Sequence, residues 1–334
     1  PTLWRTIYKL RVRPPVFTLE KKGEKIVDEQ GFEYKAYDIF VASSKPIAFQ
    51  PSSLINLEGV ILPNPKTQNT TLLVYATKFP EESHNFKIEN LEKLKQKFSG
   101  MTVQQRVDWI LTNFSKYSHI VERDNLAYAS FLNFSPLYVT LDHETQRGWG
   151  NTTLFGDTTT AKTETLRKLL RLLQCGTLIT AETASTVGLV GTATQLDEGG
   201  WCVDWGFLVL NDRKLLAIDG AHKLSFAQWA ALAEAERSGV VTIVKAAKNS
   251  AYARTRQIKI ANALDRESDK FSTKSLASFL YPVQGLATVF DKTSIARIDL
   301  AVFADQRDVE PSKINKALES EYDKDLEFLG DVLR

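Results

Sequence analysis

Residues 151–170, NTTLFGDTTTAKTETLRKLL, decide the fold. A short β-branched and aromatic run, TTLF, meets a polar turn, GDTTTAKT. That turn opens onto TETLRKLLRLL, whose leucines follow a helical period. Strand, polar loop and helix in this order make a cradle for phosphate, because backbone N–H groups converge at a helix N-terminus whose dipole favours an anion. A lysine must then reach the terminal phosphates, and a hydroxyl must meet the magnesium ion. Gly156, Lys162 and Thr163 hold that spacing, with Asp157, Thr158, Thr159, Thr160 and Ala161 as the loop between them. Ala161 replaces the glycine usual before the lysine; it still offers an N–H and fails only where a positive φ is demanded. Taken alone, a chance strand–turn–helix is a serious rival.

Residues further along agree with the cradle. A magnesium-assisted site needs an aspartate at the end of a neighbouring apolar strand, and LLAID supplies Asp219. RQIKIAN supplies Asn262, a polar group on an adjacent strand to orient the attacking water. ARIDL supplies Arg297, placed to stabilise charge on the γ-phosphate from a neighbouring subunit. Each has a plainer reading: a strand-end cap, a turn residue, a surface ion pair. Their order and spacing together favour a site. The strands TTLF, GTLIT, KLLAID, RQIKIAN and RIDLAVF alternate with the helices TETLRKLLRLL and AQWAALAEAER, which predicts an α/β, three-layer fold with a parallel sheet. Two insertions interrupt it, residues 184–213 and a hairpin within VVTIVKAAKNSAYART.

Ahead of this core, residues 1–80 read as a β domain. WRTIYKLRV, KAYDIFVA, INLEGVIL and TTLLVYAT are separated by Pro, Gly, Asn and Ser turns, as in a small open barrel or a fragment of a sandwich. Residues 81–150 read as a helical linker and the start of the second domain. IENLEKLKQKF has a helical period, Thr102–Gln105 forms a capping-box pattern, and LAYASFL predicts a third helix. Residues 151–310 hold the core, and a C-terminal helix occupies 311–334 with Ser312 as its cap.

Composition bounds the function. At 43% hydrophobic and 25% charged the chain is globular, and it has no run of 18 apolar residues, so no membrane span or membrane partner is expected. The N-terminus lacks the apolar region of a signal peptide. Cys175 and Cys202 stand apart and the four histidines are scattered, which predicts a cytoplasmic protein with neither disulfides nor zinc. A net charge of +2 says little, but no acidic residue lies between Ser238 and Ala261, whereas Lys245, Lys248, Arg254, Arg256 and Lys259 do.

From about residue 150 to 303 the chain resembles the AAA+ core of the minichromosome maintenance (MCM) replicative helicases, of archaeal type, truncated and divergent. GDTTTAKT has their Walker A form, in which Ala before the Lys is normal. VGLVGTATQ with DEGGWCVDWGFLVLNDRKLLAIDGAHKL is similar to their helix-2 insertion and Walker B region. AEAERSGVVTIVKA with ARTRQIKIANA resembles the pre-sensor hairpin and sensor 1, and SIARIDLAVF the arginine-finger motif. More weakly, VRPPVF, EYKAYDIFVA and LEGVILPN resemble pieces of the family's oligonucleotide-binding (OB) barrel. The resemblance implies ATP and Mg²⁺ held by Gly156–Thr163 and Asp219, Asn262 as sensor 1, and Arg297 as a finger acting in trans. It also implies Lys245, Lys248 and Arg254 facing DNA, single- or double-stranded, with residues 192–204 as a second channel loop. The assembly implied is a homo-oligomeric, hexameric ring or a mixed one with other MCM subunits, a monomer being the alternative.

The departures point the other way. The family's water-activating glutamate after Asp219 is Gly220, and losing a positioned base costs roughly 10²–10⁴ in rate. His222, two residues on, is expected to be merely exposed and polar. A lysine usual to the family is Glu182, and the zinc module, the helical N-terminal subdomain and most of the C-terminal lid, with its sensor 2 arginine, have no counterpart in the sequence. The expectation is an MCM-like protein of DNA replication that binds ATP and single-stranded DNA with impaired hydrolysis. Two alternatives stay open, an active minimal helicase ring and a non-enzymatic regulatory or mobile-element protein engaging a cellular MCM ring. A magnesium-chelatase-like motor is disfavoured by the OB-like N-terminal part.

Overall fold

The computed structural model describes residues 6–12, 19–21, 24–26, 37–43, 55–63, 70–78, 91–118, 136–173, 176–195, 201–244, 248–265, 272–308 and 329. The chain divides into two compact units, Pro1–Lys87 and Ile88–Arg334, a little beyond the junction expected near residue 80.

In the first unit, β1 (Thr6–Val12), β4 (Tyr37–Ser43), β5 (Asn56–Pro63) and β6 (Thr70–Lys78) build one sheet in the order β1-β4-β6-β5, while the short β2 (Leu19–Lys21) and β3 (Glu24–Ile26) pair separately. The sheet is mixed: β4 runs parallel to β6 and the other pairs are antiparallel. Alternation puts Ile39, Val41 and Val74 on one face, with Tyr8, Leu10 and Leu72 packed against them.

The second unit begins with α1 (Leu91–Phe98) and α2 (Val103–Ser118). Thr102 and Gln105 form the expected reciprocal cap, with Gln105 N donating to Thr102 Oγ1 and Thr102 N donating to Gln105 Oε1. A hairpin of β7 (Tyr138–Leu141) and β8 (Glu144–Arg147) follows, inside the span read as helical from sequence. The core is a five-stranded parallel sheet of β9 (Asn151–Gly156), β10 (Thr177–Thr180), β13 (Leu215–Asp219), β16 (Arg256–Ala261) and β17 (Leu300–Ala304), in the order β10-β13-β16-β9-β17.

All six residues of β9 are buried, as a strand covered on both faces requires. On one face Leu154, Ala217 and Ile260 meet Leu166, Leu169 and Leu173 of α3 (Lys162–Leu173), together with Leu111 and Phe114 of α2. Each of those leucines contributes roughly 1.5–3 kcal/mol by leaving water. On the other, Phe155, Ile218 and Ala261 meet Leu189 of α4 (Thr186–Val190), Leu208 of α5 (Phe207–Leu210) and Leu232 of α6 (Phe226–Ser238). The result is the expected three-layer α/β core.

Besides β7–β8, two further hairpins of this unit lie outside the sheet among the described residues. β11 (Gly191–Gln195) pairs with β12 (Trp201–Trp205) within the first predicted insertion, and β14 (Val240–Val244) with β15 (Lys248–Tyr252) in the second. The helix expected at LAYASFL, most of the one expected at 311–334, Lys245, and residues 196–200 of the second channel loop lie outside the described residues. Leu329 is described and is fully buried with the leucines of α3. Among the described residues, no helix is long and apolar enough to cross a membrane.

Candidate nucleotide-binding site

The sheet order places β9 between β16 and β17, the point at which successive strands switch direction across the sheet and where ligands of open α/β sheets bind. Parallel registers bring the carboxyl ends of β9, β13 and β16 to one edge. At Gly156 the chain passes so close to β17 that a Cβ would lie 2.1 Å from the Ala304 carbonyl oxygen. Only glycine fits there.

The loop that follows is anchored by Asp157. Its carboxylate is buried and accepts from Leu276 N at 2.7 Å, Ser275 Oγ at 3.2 Å and Gln306 N at 3.1 Å. The Asp157 side chain therefore fastens the loop to two later segments, and the cradle is left to backbone N–H groups and Lys162. Gln306 Nε2 also donates to Thr158 O and to Thr159 Oγ1. Thr159 (φ 61°) and Ala161 (φ 58°) both adopt left-handed backbone, so position 161 does demand the positive φ that alanine resists. Lys162, 5% exposed, is folded back over the loop, donating to Asp157 O and to Thr160 Oγ1.

Thr163 Oγ1 donates to Asp219 Oδ2 at 2.9 Å. A hydroxyl and a carboxylate oxygen thus converge beside the loop. Two hard oxygen donors fit a magnesium ion, which takes few protein ligands and fills its octahedron with water and phosphate oxygens. These groups line a cleft of about 380 Å³ that includes Thr158–Glu164, Asp219, Ile260 and Asn262. Arg167 lines it too, beside Glu164. Sequence reasoning passed it over, although it stands four residues after Thr163, one helical turn on and so on the same face.

Asn262 Oδ1 is buried and accepts no hydrogen bond from the described residues. Its backbone N donates to His222 Nδ1 at 3.3 Å. His222 is 9% exposed, which corrects the expectation of an exposed polar residue. Burial, then the neighbouring Lys223, holds its pKa below the usual value, with Asp219 opposing the shift. The neutral ring accepts through Nδ1, so its proton sits on Nε2, and His222 acts as a brace between β13 and β16 rather than as a base for water.

Gly220 has φ 73° and opens a single helical turn, Ala221–Lys223. A Cβ there would meet only the Ala181 Cβ, 4.0 Å away. The place of the family's glutamate is therefore sterically open, on a backbone that disfavours a side chain.

Arg297 stands at the opposite edge. Its carbonyl oxygen accepts from Asn151 Nδ2 at 2.9 Å, and Asn151 starts the strand that Gly156 ends, so about 16 Å of strand separates it from the loop. The structure brings Lys162, Thr163, Asp219 and Asn262 together and leaves Arg297 out of the same chain's cleft. Of the residues expected to face DNA, Lys248 begins β15. Arg254 departs from that expectation. The residue is 6% exposed, and its guanidinium donates to both oxygens of Asp212 and to Tyr138 Oη and stacks over Tyr252. Its charge is spent inside the unit.

A parallel sheet with a phosphate cradle at its switch point and a hydroxyl–carboxylate pair beside it defines a P-loop nucleotide-binding domain of the AAA+ kind. A family model, the MCM P-loop domain, matches residues 105–280, just over half of the chain, and the chain belongs to the MCM family of DNA-replication, helicase-like ATPases. Members of that family use nucleotide with Mg²⁺, bind DNA and form oligomeric rings. No curated protein matches the chain.

Proposed function

We propose that this MCM-family chain binds ATP with Mg²⁺ and single-stranded DNA in the cytoplasm, at the nucleoid, and hydrolyses ATP slowly. The observation that carries it is the Thr163–Asp219 contact beside a buried Lys162: one cation and two oxygen donors at a helix N-terminus, the chemistry that a Mg²⁺-nucleotide needs. Bound Mg²⁺ would neutralise phosphate charge. Lys162 would turn from Asp157 O and Thr160 Oγ1 to the terminal phosphates, and Asn262 would direct the orphaned end of its amide at the attacking water. Slow hydrolysis follows from Gly220, which presents no carboxylate.

DNA binding is supported by the hairpin β14–β15, which carries Lys248 on a segment without acidic residues, and by the mixed sheet of the first unit as part of an OB-type barrel. Such contacts neutralise phosphates without reading bases, so affinity falls steeply with salt. The left-handed backbone at Gly220 favours one second reading: a subunit that binds nucleotide but does not hydrolyse it, and acts on another MCM ring.

Nucleotide affinity and ATP turnover, with and without single-stranded DNA, test these readings in the wild type and in Lys162→Ala. Lys162→Ala is expected to weaken ATP binding by about 10- to 100-fold, the loss of a charge-assisted hydrogen bond. Absence of ATP binding by the wild type at millimolar Mg²⁺-ATP would sink the nucleotide reading; binding without any turnover would establish the second.

A further inference from the structure

Two departures from the family pattern lie side by side in space. Gly220 removes a carboxylate from the end of β13, and Glu182 adds one at the end of β10, the adjacent strand. The parallel register pairs Thr180 with Asp219, and Ala181 N donates to Asp219 O at 2.8 Å. A Cβ built at Gly220 would face the Ala181 Cβ at 4.0 Å with nothing nearer. Glu182 is the next residue. Its carboxylate is ion-paired to Lys223, which sits on the turn that Gly220 opens and whose backbone N donates to Gly220 O at 2.8 Å. Glu182 thus stands beside the turn that carries Gly220, at the end of the strand next to the one that ends in Asp219. The Glu182 side chain is half-exposed, on the turn that follows β10.

We propose that Glu182 is the general base of this site, a carboxylate delivered from the neighbouring strand in place of the one absent at Gly220. The inference rests on the nucleotide-binding reading above. Lys223 parks the side chain. On ATP binding, Glu182 leaves Lys223 and accepts a proton from the attacking water. The water oxygen then bonds to the γ-phosphorus, the bond from that phosphorus to the β–γ bridging oxygen breaks, and its electron pair stays with ADP. Products are ADP and inorganic phosphate, and Glu182 later returns the proton to solvent. A base that must leave its ion pair before each cycle is slower than a carboxylate fixed at position 220 would be, in keeping with slow hydrolysis.

The test compares the full chain with Glu182→Gln and Lys223→Met. Single-turnover hydrolysis by Glu182→Gln is expected to fall by about 10²-fold, with the dissociation constant of a fluorescent ATP analogue within about twofold of wild type. Nucleotide extracted from Glu182→Gln after incubation should then be ATP, and from wild type ADP. Lys223→Met, which breaks the same ion pair but leaves the carboxylate, should hydrolyse at least as fast as wild type. Unchanged hydrolysis in Glu182→Gln overturns the proposal, as does an equal loss in Lys223→Met, which would make the ion pair structural. ATP binding without hydrolysis in the wild type overturns it as well, while sparing the nucleotide site. No ATP binding at all removes both.

Discussion

Left-handed backbone at two residues other than glycine, Thr159 and Ala161, gives the phosphate loop a shape that L-amino acids resist by roughly 1 kcal/mol each. Ala161→Gly is therefore expected to raise unfolding stability in urea by up to about 1 kcal/mol with ATP binding retained. Gly220 poses the reverse problem. There is space for a side chain but φ is 73°, so Gly220→Ala and Gly220→Glu should each lose about 1 kcal/mol in the same assay. Any gain in turnover should come with Glu and not with Ala. His222 sets a pH dependence. Its pKa is lowered in the fold, so between that value and the ordinary pKa near 6.5 the unfolded chain binds more protons, and stability rises with pH. Stability is full above about pH 6.5 and falls as pH drops below it, and His222→Gln should flatten that fall.

At the scale of elements, Arg254 ties the connection between β15 and β16 to Asp212 on the loop before β13 and to Tyr138 on β7. The Asp212 carboxylate raises an already high guanidinium pKa further. Arg254→Ala leaves the largely buried Asp212 with the longer Arg213 pair, at 3.8 Å, and the backbone N of residue 254, and should cost about 2 kcal/mol of stability. Lys248→Ala, by contrast, should leave stability alone and lower the salt slope of DNA binding by about 1. The core elements were legible from sequence because each strand is a short apolar run bounded by turn residues and α3 has a strong leucine period. The loop, Asp219 and Asn262 were legible for the same reason: strand ends can be counted. The hairpin β7–β8 was not. All four residues of β7 are exposed, so no buried alternation marks it. Its two-residue turn, Asp142 (φ 48°) and His143 (φ 69°), takes the doubly left-handed form that usually advertises itself through glycine. The buried state of His222 and Arg254 was equally hidden, because a polar residue in one dimension carries no mark of which partners, Asn262 or Asp212, the fold brings to it.

The second unit as a whole is polar in the directional sense. Five parallel strands put the nucleotide cleft at their carboxyl edge and Arg297 at the other. Under the reading that Arg297 serves a neighbour, Arg297→Ala and Lys162→Ala should each be nearly inactive, and mixing them should recover turnover that neither shows alone. Failure to recover, in an assembly shown by mass to contain both variants, would remove the trans role. This polarity has a further consequence. A contact that joins the arginine edge of one copy to the cleft of the next is head-to-tail, and such contacts either close into a ring or run on as an open helix. An open stack always ends in one cleft without an arginine and one arginine without a cleft. Turnover per chain would therefore climb with stack length in an open assembly and stay flat once a ring has closed, so a concentration series of the ATPase rate reports closure without any image of the particle.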